Sequence, residues 1–454
     1  MKVSYLLLLS LLGLVCQPLA NEEQVAKPNI ILIYVDDMGL GDASFTSGKI
    51  RPPPHIDRMA REGKVFTQYY TNSPVCSPSR VAVTTGMYPL RWQINTFLSG
   101  KKHNDLCQQL GYLDAKAPSL ARALKASGYA TAHFGKWHMG GGRKINAPSI
   151  KEYGFDEYVS TWESPDPDPL LTSSNWIWAP TDSIKRWERT AYFVDKTLDF
   201  FKRKEGPCYI NLWPDDVHTP WVPTEESQDH SREQKFSLPN LEPVITAFDY
   251  DVGRLLAGIE ALGEAENTLI IFTSDNGPAP SFGYKRTIGL RGTKNSLYEG
   301  GINMPFIAYW PGVIQAGQRD EQSVISAVDL FPSLCQIGGA ALPEGWRLDG
   351  EDMSAALRNA SIFRRERDLH WEYGRFNPKT STPKDSLDRS LPIAIRHGEW
   401  KFYSDLEGKK VELYHLPSDP NERQDQASAQ VALVSKLQKE ALEWFANNDK
   451  SEVQ

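Results

Sequence analysis

Apolar residues along this chain fall into unbroken runs that hand over to polar residues at their carboxyl ends. Asn29 to Val35 (NIILIYV) ends in Asp36-Asp37, and Tyr129 to Phe134 leads into Gly135-Lys136-Trp137-His138. Cys208 to Trp213 leads towards Asp215, Asp216 and His218, and Thr268 to Ser274 into Asp275-Asn276-Gly277. A β-branched run without polar alternation predicts a strand buried on both faces of a parallel sheet. Between these runs the period changes to that of helices. Ser119 to Ser127 places Leu120, Ala123 and Leu124 on one face before Gly128, and Ala247 to Leu262 spaces Val252, Leu255, Leu256 and Ile259 likewise. The alternation predicts an α/β fold, a doubly wound, mostly parallel sheet flanked by helices, whose ligands bind beyond the carboxyl ends of the strands. All four polar clusters fall on that edge.

Beyond about residue 365 the pattern shortens to Leu369 to Tyr373, Ile393 to Arg396, Trp400 to Tyr403 and Val411 to His415, followed by a helical stretch from Ala427 to Asn447. This predicts a small antiparallel sheet with a closing helix, and hence a catalytic α/β domain over residues 21–365 and a C-terminal α+β subdomain over 366–454. At the other end, Lys2, the apolar run Tyr5 to Cys16 and Pro18-Leu19-Ala20 have the layout of a signal peptide cleaved after residue 20. The run is too short to span a bilayer, and Gly13-Leu14-Val15 ahead of Cys16 makes a poor lipidation signal. The expectation is a periplasmic or secreted protein with no membrane span and no lipid anchor.

Composition narrows the classes. With 40% hydrophobic and 24% charged residues the 454-residue chain is globular in type, and five Cys are too few for a disulfide scaffold. The net charge of −7 predicts no nucleic-acid partner. An anionic substrate would therefore need cations gathered locally. Cys76, Cys107, Cys208 and Cys335 form neither CxxC pairs nor a framework.

Three clusters carry candidate chemistry. Adjacent Asp36 and Asp37 would point to opposite faces of a regular strand, so only an irregular strand end lets both reach one point, and a cation would supply the reason. Asp275-Asn276 adds hard oxygen donors suited to Ca²⁺ or Mg²⁺ rather than zinc, although each pair alone also reads as a turn or helix cap. In Cys76-Ser77-Pro78-Ser79-Arg80, Pro78 sits where a helix can begin, which puts Cys76 beside an anion-favouring N-terminus. A buried structural thiol and a low-pKa thiolate nucleophile are both open at this level.

The Cys76 segment, C-x-P-S-R followed by four residues and Thr85-Gly86, resembles the signature of the type I, formylglycine-dependent sulfatases of the alkaline phosphatase superfamily. The resemblance extends to bacterial polysaccharide and N-acetylgalactosamine-6-sulfatase-like members. Gly128 to His138 is similar to a second family signature. The Asp36-Asp37 strand end, Asp275-Asn276-Gly277, Leu290 to Lys294, Tyr298 to Gly301, Trp400-Lys401, Glu412-Leu413-Tyr414 and Asp419-Pro420 match in order.

The resemblance implies that a formylglycine-generating maturation enzyme oxidises Cys76 to the aldehyde 3-oxoalanine, whose hydrate is both nucleophile and metal ligand. One hydroxyl attacks sulfur and releases the alcohol, and deprotonation of the second expels sulfate. It further implies that Asp36, Asp37, Asp275 and Asn276 hold the cation, Ca²⁺ ahead of Mg²⁺, and that Arg80 orients the hydrate. Lys136 and Lys294 would bind sulfate oxygens, where they stabilise developing charge. His138 would take the second hydroxyl's proton and His218 would act as general acid. The chain departs from the family pattern at Phe134, at Asn303 and in the longer step from Trp213 to His218.

For the substrate, Trp162, Trp176, Trp178, Trp187, Trp213 and Trp221 are expected to overhang the active edge and offer flat faces to a sugar. Lys101-Lys102-His103, Arg143-Lys144 and Lys185-Arg186 with Arg189 are candidate contacts for a further anionic group. The resulting expectation is an exported sulfatase (EC 3.1.6.-) acting on a sulfated saccharide, an algal polysaccharide or glycosaminoglycan fragment. The alternatives are an arylsulfatase, a phosphomonoesterase or phosphodiesterase of the same superfamily, and a catalytically dead carbohydrate-binding homologue.

Overall fold

The computed structural model describes residues 27–46, 54–142, 145–171, 178–358, 361–376 and 382–449. The expected signal peptide, Trp176 and the Arg143-Lys144 pair lie outside them.

The large sheet contains β1 (Asn29–Val35), β2 (Lys64–Tyr70), β3 (Ala130–Gly135), β4 (Glu157–Ser160), β5 (Cys208–Trp213), β6 (Thr268–Ser274), β7 (Asn303–Tyr309), β8 (Gln318–Asp320) and β9 (Ile325–Ser326). Their order is β4-β3-β5-β1-β6-β7-β2-β8, with β9 beside β2. Among the described residues only β7 runs against its neighbours β6 and β2. The sheet is therefore mostly parallel and the fold α/β, as the apolar runs predict.

The central strand β1 is buried along its whole length and pairs with β5 and β6, so that Ile31 lies between Ile210 and Ile270. Its alternate side chains feed two cores. Ile30, Leu32 and Tyr34 share one with helices that include Cys76–Thr85, Leu120–Ala126 and Leu330–Gly338. Ile31, Ile33 and Val35 share the other with helices Pro54–Glu62, Arg189–Arg203 and Leu238–Ala261. Burying each such side chain is worth roughly 1.5–3 kcal/mol, which makes this double-sided strand the anchor of the sheet.

The helix predicted to start at Ala247 begins instead at Leu238. Pro239 falls in its first turn, where no backbone N–H partner is needed, and Pro243 is accommodated further in. The two prolines hide a helical start that reads as a loop in the sequence.

The second sheet orders β10 (Leu369–Glu372), β11 (Ile393–His397), β12 (Trp400–Ser404) and β13 (Val411–His415) as an antiparallel meander. Gly398, at φ 54°, lets a two-residue turn join His397 to its pair Trp400. Ile393, Ile395, Phe402 and Leu413 pack on one face against Leu437 and Ala441 of the closing helix Val431–Asp449. The other face, with Trp371, Tyr373 and Tyr403, packs on Tyr70, Val75 and Tyr298 of the large sheet and its loops. Trp371 Nε1 donates to the carbonyl of Thr71 at 2.8 Å, which docks the small sheet beside the segment leading to Cys76. Among the described residues no helix is long and apolar enough to cross a membrane.

Candidate functional site

The strand ends converge because the backbone breaks regularity there. After β1, Asp37 adopts φ 63°, the left-handed region, and this turn lets neighbouring carboxylates serve one place. Asp37 N donates to Asp275 Oδ1 at 3.1 Å, tying the end of β1 to that of β6. Gly135 ends β3 at φ 124°, where a Cβ would lie 2.0 Å from the Trp213 carbonyl, so only glycine fits. Lys136 then turns inward, and its Nζ meets Asp36 Oδ2 at 2.7 Å.

Cys76 is the first residue of helix Cys76–Thr85, after an extended Val75. Pro78 occupies the first turn, as the motif predicts. The fully buried Sγ of Cys76 lies 3.5 Å from Asp36 Oδ1 and 3.6 Å from Lys136 Nζ. One turn on, Arg80 donates to Asp275 Oδ2 at 2.7 Å and to the Lys136 carbonyl at 2.8 Å, with its guanidinium 5.2 Å from the ring of Trp213. Lys294 pairs with both oxygens of Asp37 at 2.7 and 2.9 Å, and Asn276 Nδ2 donates to Asp37 Oδ1 at 2.7 Å.

The two histidines turn ring nitrogens towards the site. His138 Nε2 donates to the Leu98 carbonyl at 2.9 Å, which leaves Nδ1 buried without a partner. His218 Nδ1 donates to the Thr219 carbonyl at 2.6 Å, and its Nε2 faces Asp37 Oδ2 at 3.7 Å. The long Trp213 to His218 step is held by buried ion pairs: Arg186 and Arg189 both clasp Asp215, and Arg186 also donates to the His218 carbonyl.

Charge is dense here and largely balanced. Burial works to raise Asp36, but Lys136, His218, Arg80 and Lys294 hold it well below the usual carboxylate range. Burial, reinforced by Asp36, pushes Asp275 up to about 7 against Arg80. Burial likewise pushes the Cys76 thiol up to about 12 despite Lys136 and Lys294, so the unmodified thiol is protonated at neutral pH. This argues against the thiolate nucleophile left open by the sequence. Burial, aided by Lys136, keeps His138 well below its ordinary value and hence neutral.

The donor set suits a hard divalent ion. One ligand atom each of Asp36, Asp37, Cys76 and His218 lie within 4.8 Å of one another, and the buried Oδ1 of Asn276 has no partner. This is the one such His, Cys, Asp and Glu group among the described residues. It contains a single histidine, unlike the His-rich pair of sites that two zinc ions require.

Other expectations need correcting. Trp213 and Trp221 are fully buried and offer no face to a sugar; Trp213 stands beside Tyr34 and His133 in the core, and Trp221 lies under Arg286. Trp162, Trp178 and Trp187 are half-buried. Arg186 and Arg189 are buried structural cations rather than outer anion contacts, whereas Lys101 and Lys102 are exposed. Phe134 packs on Phe200, and Asn303 donates to Glu299 at 3.0 Å. Sequence reasoning missed Tyr373, at the end of β10, whose hydroxyl donates to Asn295 Oδ1 at 2.6 Å beside Lys294. It also missed Arg286, whose NH2 donates to the Asp37 carbonyl at 2.8 Å. Neither belongs to a local motif.

Comparison with known proteins gives a consistent result. The Sulfatase family model matches residues 28–340, and that of the N-sulphoglucosamine sulphohydrolase C-terminal region matches residues 292–447. The N-acetylgalactosamine-6-O-sulfatase of Bacteroides thetaiotaomicron is 27% identical over 92% of this chain and 93% of its own length. The N-acetylgalactosamine-6-sulfatase of Canis lupus familiaris is 31% identical over 74% of this chain and 67% of its own. The crystal structure of Ps i-CgsB in complex with k-i-k-neocarrahexaose superposes with a TM-score of 0.72 at 25% identity, covering 94% of each chain.

Proposed function

Because this chain belongs to the sulfatase family and is a sulfuric ester hydrolase, we propose that it is an exported enzyme that removes a sulfate monoester from a sulfated saccharide. The reading takes a glycosaminoglycan fragment or algal polysaccharide as substrate, Cys76 as the precursor of formylglycine and Ca²⁺ as the cation. The observation that carries it is the setting of Cys76, buried at a helix N-terminus between Asp36 and Lys136, with a thiol too basic to serve as thiolate. The names of the bacterial and canine relatives support a sulfated amino sugar, and the oligosaccharide held by the solved neighbour supports a saccharide site. The residue 1–20 pattern supports export. The same reading divides the mature chain into a catalytic body over 21–365 and a C-terminal subdomain over 366–454.

When formed, the aldehyde hydrate supplies one hydroxyl to attack sulfur and a second whose deprotonation expels sulfate. Asp36, Asp37, Asp275 and Asn276 would hold the divalent ion, which supplies Lewis-acid charge. This chain's own groups do the rest. Lys136 and Lys294 bind equatorial sulfate oxygens, and Arg80 holds the nucleophile's side of the site. His138 Nδ1, a free lone pair, accepts a proton, and His218, when Nε2 as well as Nδ1 carries a proton, hands the Nε2 proton to the leaving oxygen. Three carboxylates, Asp36, Asp37 and Asp275, already face three cations, Lys136, Lys294 and Arg80. Adding a divalent ion leaves two positive charges in excess, enough for the single charge of a sulfate monoester and for the further charge that builds on its oxygens as the ester bond breaks. An acidic protein can thus present a cationic pocket.

Mass spectrometry of the Cys76 peptide from the native source tests the nucleophile. An aldehyde is expected, and a persistent thiol in fully active protein would refute it. Chelation should abolish turnover and Ca²⁺ restore it; activity indifferent to both removes the cation. A panel of defined sulfated saccharides beside a small aryl sulfate tests the substrate class, and turnover confined to the aryl ester would overturn it.

A further inference from the structure

Asp36 and Asp37 can share one cation only while the backbone between them stays turned, and a left-handed φ of 63° at an aspartate persists only where its surroundings hold it. Arg286 supplies that hold. Its side chain is fully buried, and its NH2 donates to the Asp37 carbonyl at 2.8 Å. Its Nε and NH2 also donate to Asp42 Oδ1 and Oδ2 at 2.9 and 2.7 Å, and its NH1 to the Pro280 carbonyl at 3.4 Å. The guanidinium lies 5.3 Å from the ring of Trp221.

Asp42 in turn accepts from Gly39 N at 2.9 Å, closing the turn that follows Asp37. The two loops touch so closely that a Cβ on Gly39 would lie 2.2 Å from the Arg286 carbonyl, and one on Gly41 1.9 Å from that of Lys285. Arg286 is also placed in chain between Asn276 and Lys294, both of which hydrogen-bond to Asp37. A planar guanidinium can hold a carboxylate through two donors and a carbonyl through a third donor direction at once; a lysine cannot.

We infer that Arg286, braced by Asp42, is a positioning residue that clamps the Asp37 backbone so that the Asp36 and Asp37 carboxylates reach one cation. This rests on the reading of those carboxylates as cation ligands. Its hydrogen bonds go to Asp37's carbonyl, Asp42 and Pro280, so it acts through Asp37 and not on substrate.

The test is calorimetric titration of Ca²⁺ into the metal-free full-length enzyme, wild type against Arg286→Lys and Asp42→Asn, with melting followed by circular dichroism. Both variants should bind Ca²⁺ at least tenfold more weakly, and turnover lost at low Ca²⁺ should recover as Ca²⁺ is raised. A merely structural role would lower the melting temperature and leave Ca²⁺ affinity within twofold, which overturns the clamp. If a metal-free variant does not fold, recovery of its melting transition at Ca²⁺ concentrations tenfold above those acting on wild type supports the clamp. Failure to fold at any Ca²⁺ concentration overturns it. A wild-type enzyme that takes up no Ca²⁺ overturns the cation site and the clamp with it, whereas normal wild-type uptake with unchanged variants overturns the clamp alone.

Discussion

Two buried charge clusters in this molecule use the same residue types to opposite ends. At the strand ends, Asp36, Asp37 and Asp275 meet Lys136, Lys294 and Arg80; at the seam between the sheets, Glu299 and Glu422 meet Lys401 and Arg396. In the seam every carboxylate oxygen has a partner. Glu299 takes Lys401 at 2.7 Å, Tyr70 at 2.9 Å and Asn303 at 3.0 Å, and Glu422 takes Tyr403, Lys401 and the Glu299 backbone N–H. Arg396 fills its fork with Tyr70, Gln68 and the Gly398 carbonyl. Among the described residues the one unpartnered buried atom of this cluster is the amide oxygen of Asn303. At the strand ends the Asn276 oxygen, His138 Nδ1 and Arg80 Nε are all left over, around a protonated thiol. Buried polar atoms normally find partners, and here the open ones converge with the carboxylates on the place where a cation would be held. Between these two clusters the difference is satisfaction rather than charge density, although the Arg186, Arg189 and Asp215 cluster behind His218 also leaves Asp215 Oδ1 and two guanidinium nitrogens unpartnered.

The sharpest way to break this contrast is substitution on each side. Cys76→Ala should lower kcat by about 10⁴-fold or more while substrate still binds and the melting temperature stays close to wild type, since nucleophile removal in comparable covalent enzymes costs on that order. Retained turnover sinks the assignment. Lys401→Met should do the reverse. Breaking a buried pair by removing one partner costs about 3–5 kcal/mol of stability, read as a lower unfolding midpoint, with kcat of the folded enzyme within about twofold. A stable Lys401→Met protein with crippled kcat would place the seam in the chemistry and erase the distinction. Lys294→Ala should lower kcat by about 10²–10³-fold, the typical loss of one donor to a developing oxyanion. An unchanged kcat with a raised KM alone would reduce Lys294 to ground-state binding.

How much of this was legible in the sequence follows from where each signal is carried. Strands β1, β5 and β6 are readable to the residue, because burial on both faces imposes an unbroken apolar run. Strand β2 is not, since its register shifts between Phe66 and Tyr69 and polar Thr67 and Gln68 interrupt it. Strand β7 opens Asn-Met-Pro and so reads as a loop. Among candidate site residues, those on strand ends or in the Cys76 motif are legible because short local segments carry them. Arg286 and Tyr373 are not, because their meaning lies in contacts across the fold: Arg286 meets Asp42 across 244 residues of chain and Tyr373 meets Asn295 across 78. The tryptophans mislead for a related reason. A flat ring suits a sugar and a core equally, and only packing distinguishes Trp213 in the core from the half-buried Trp162.

The smallest effect probes the seam by pH. Burial, reinforced by Glu299 and only partly offset by Lys401, lifts Glu422 from the ordinary 4.5 to about 7. Between those values the folded protein keeps a proton that the unfolded chain has released. More protons are bound in the folded state, so stability falls as pH rises from about 4.5 through 7, and the loss is complete above that. At about 1.4 kcal/mol per pKa unit the total loss has a ceiling of about 3.5 kcal/mol, and sharing of Lys401 with Glu299 brings the expected value well below that. Glu422→Gln, which cannot ionise, should flatten the fall in melting temperature between pH 5 and 8 and leave the pH profile of kcat where it was. A wild-type slope that persists in the variant would show that Glu422 does not hold the proton. A displaced kcat profile would be the more damaging result, because it would mean that the satisfied cluster talks to the unsatisfied one.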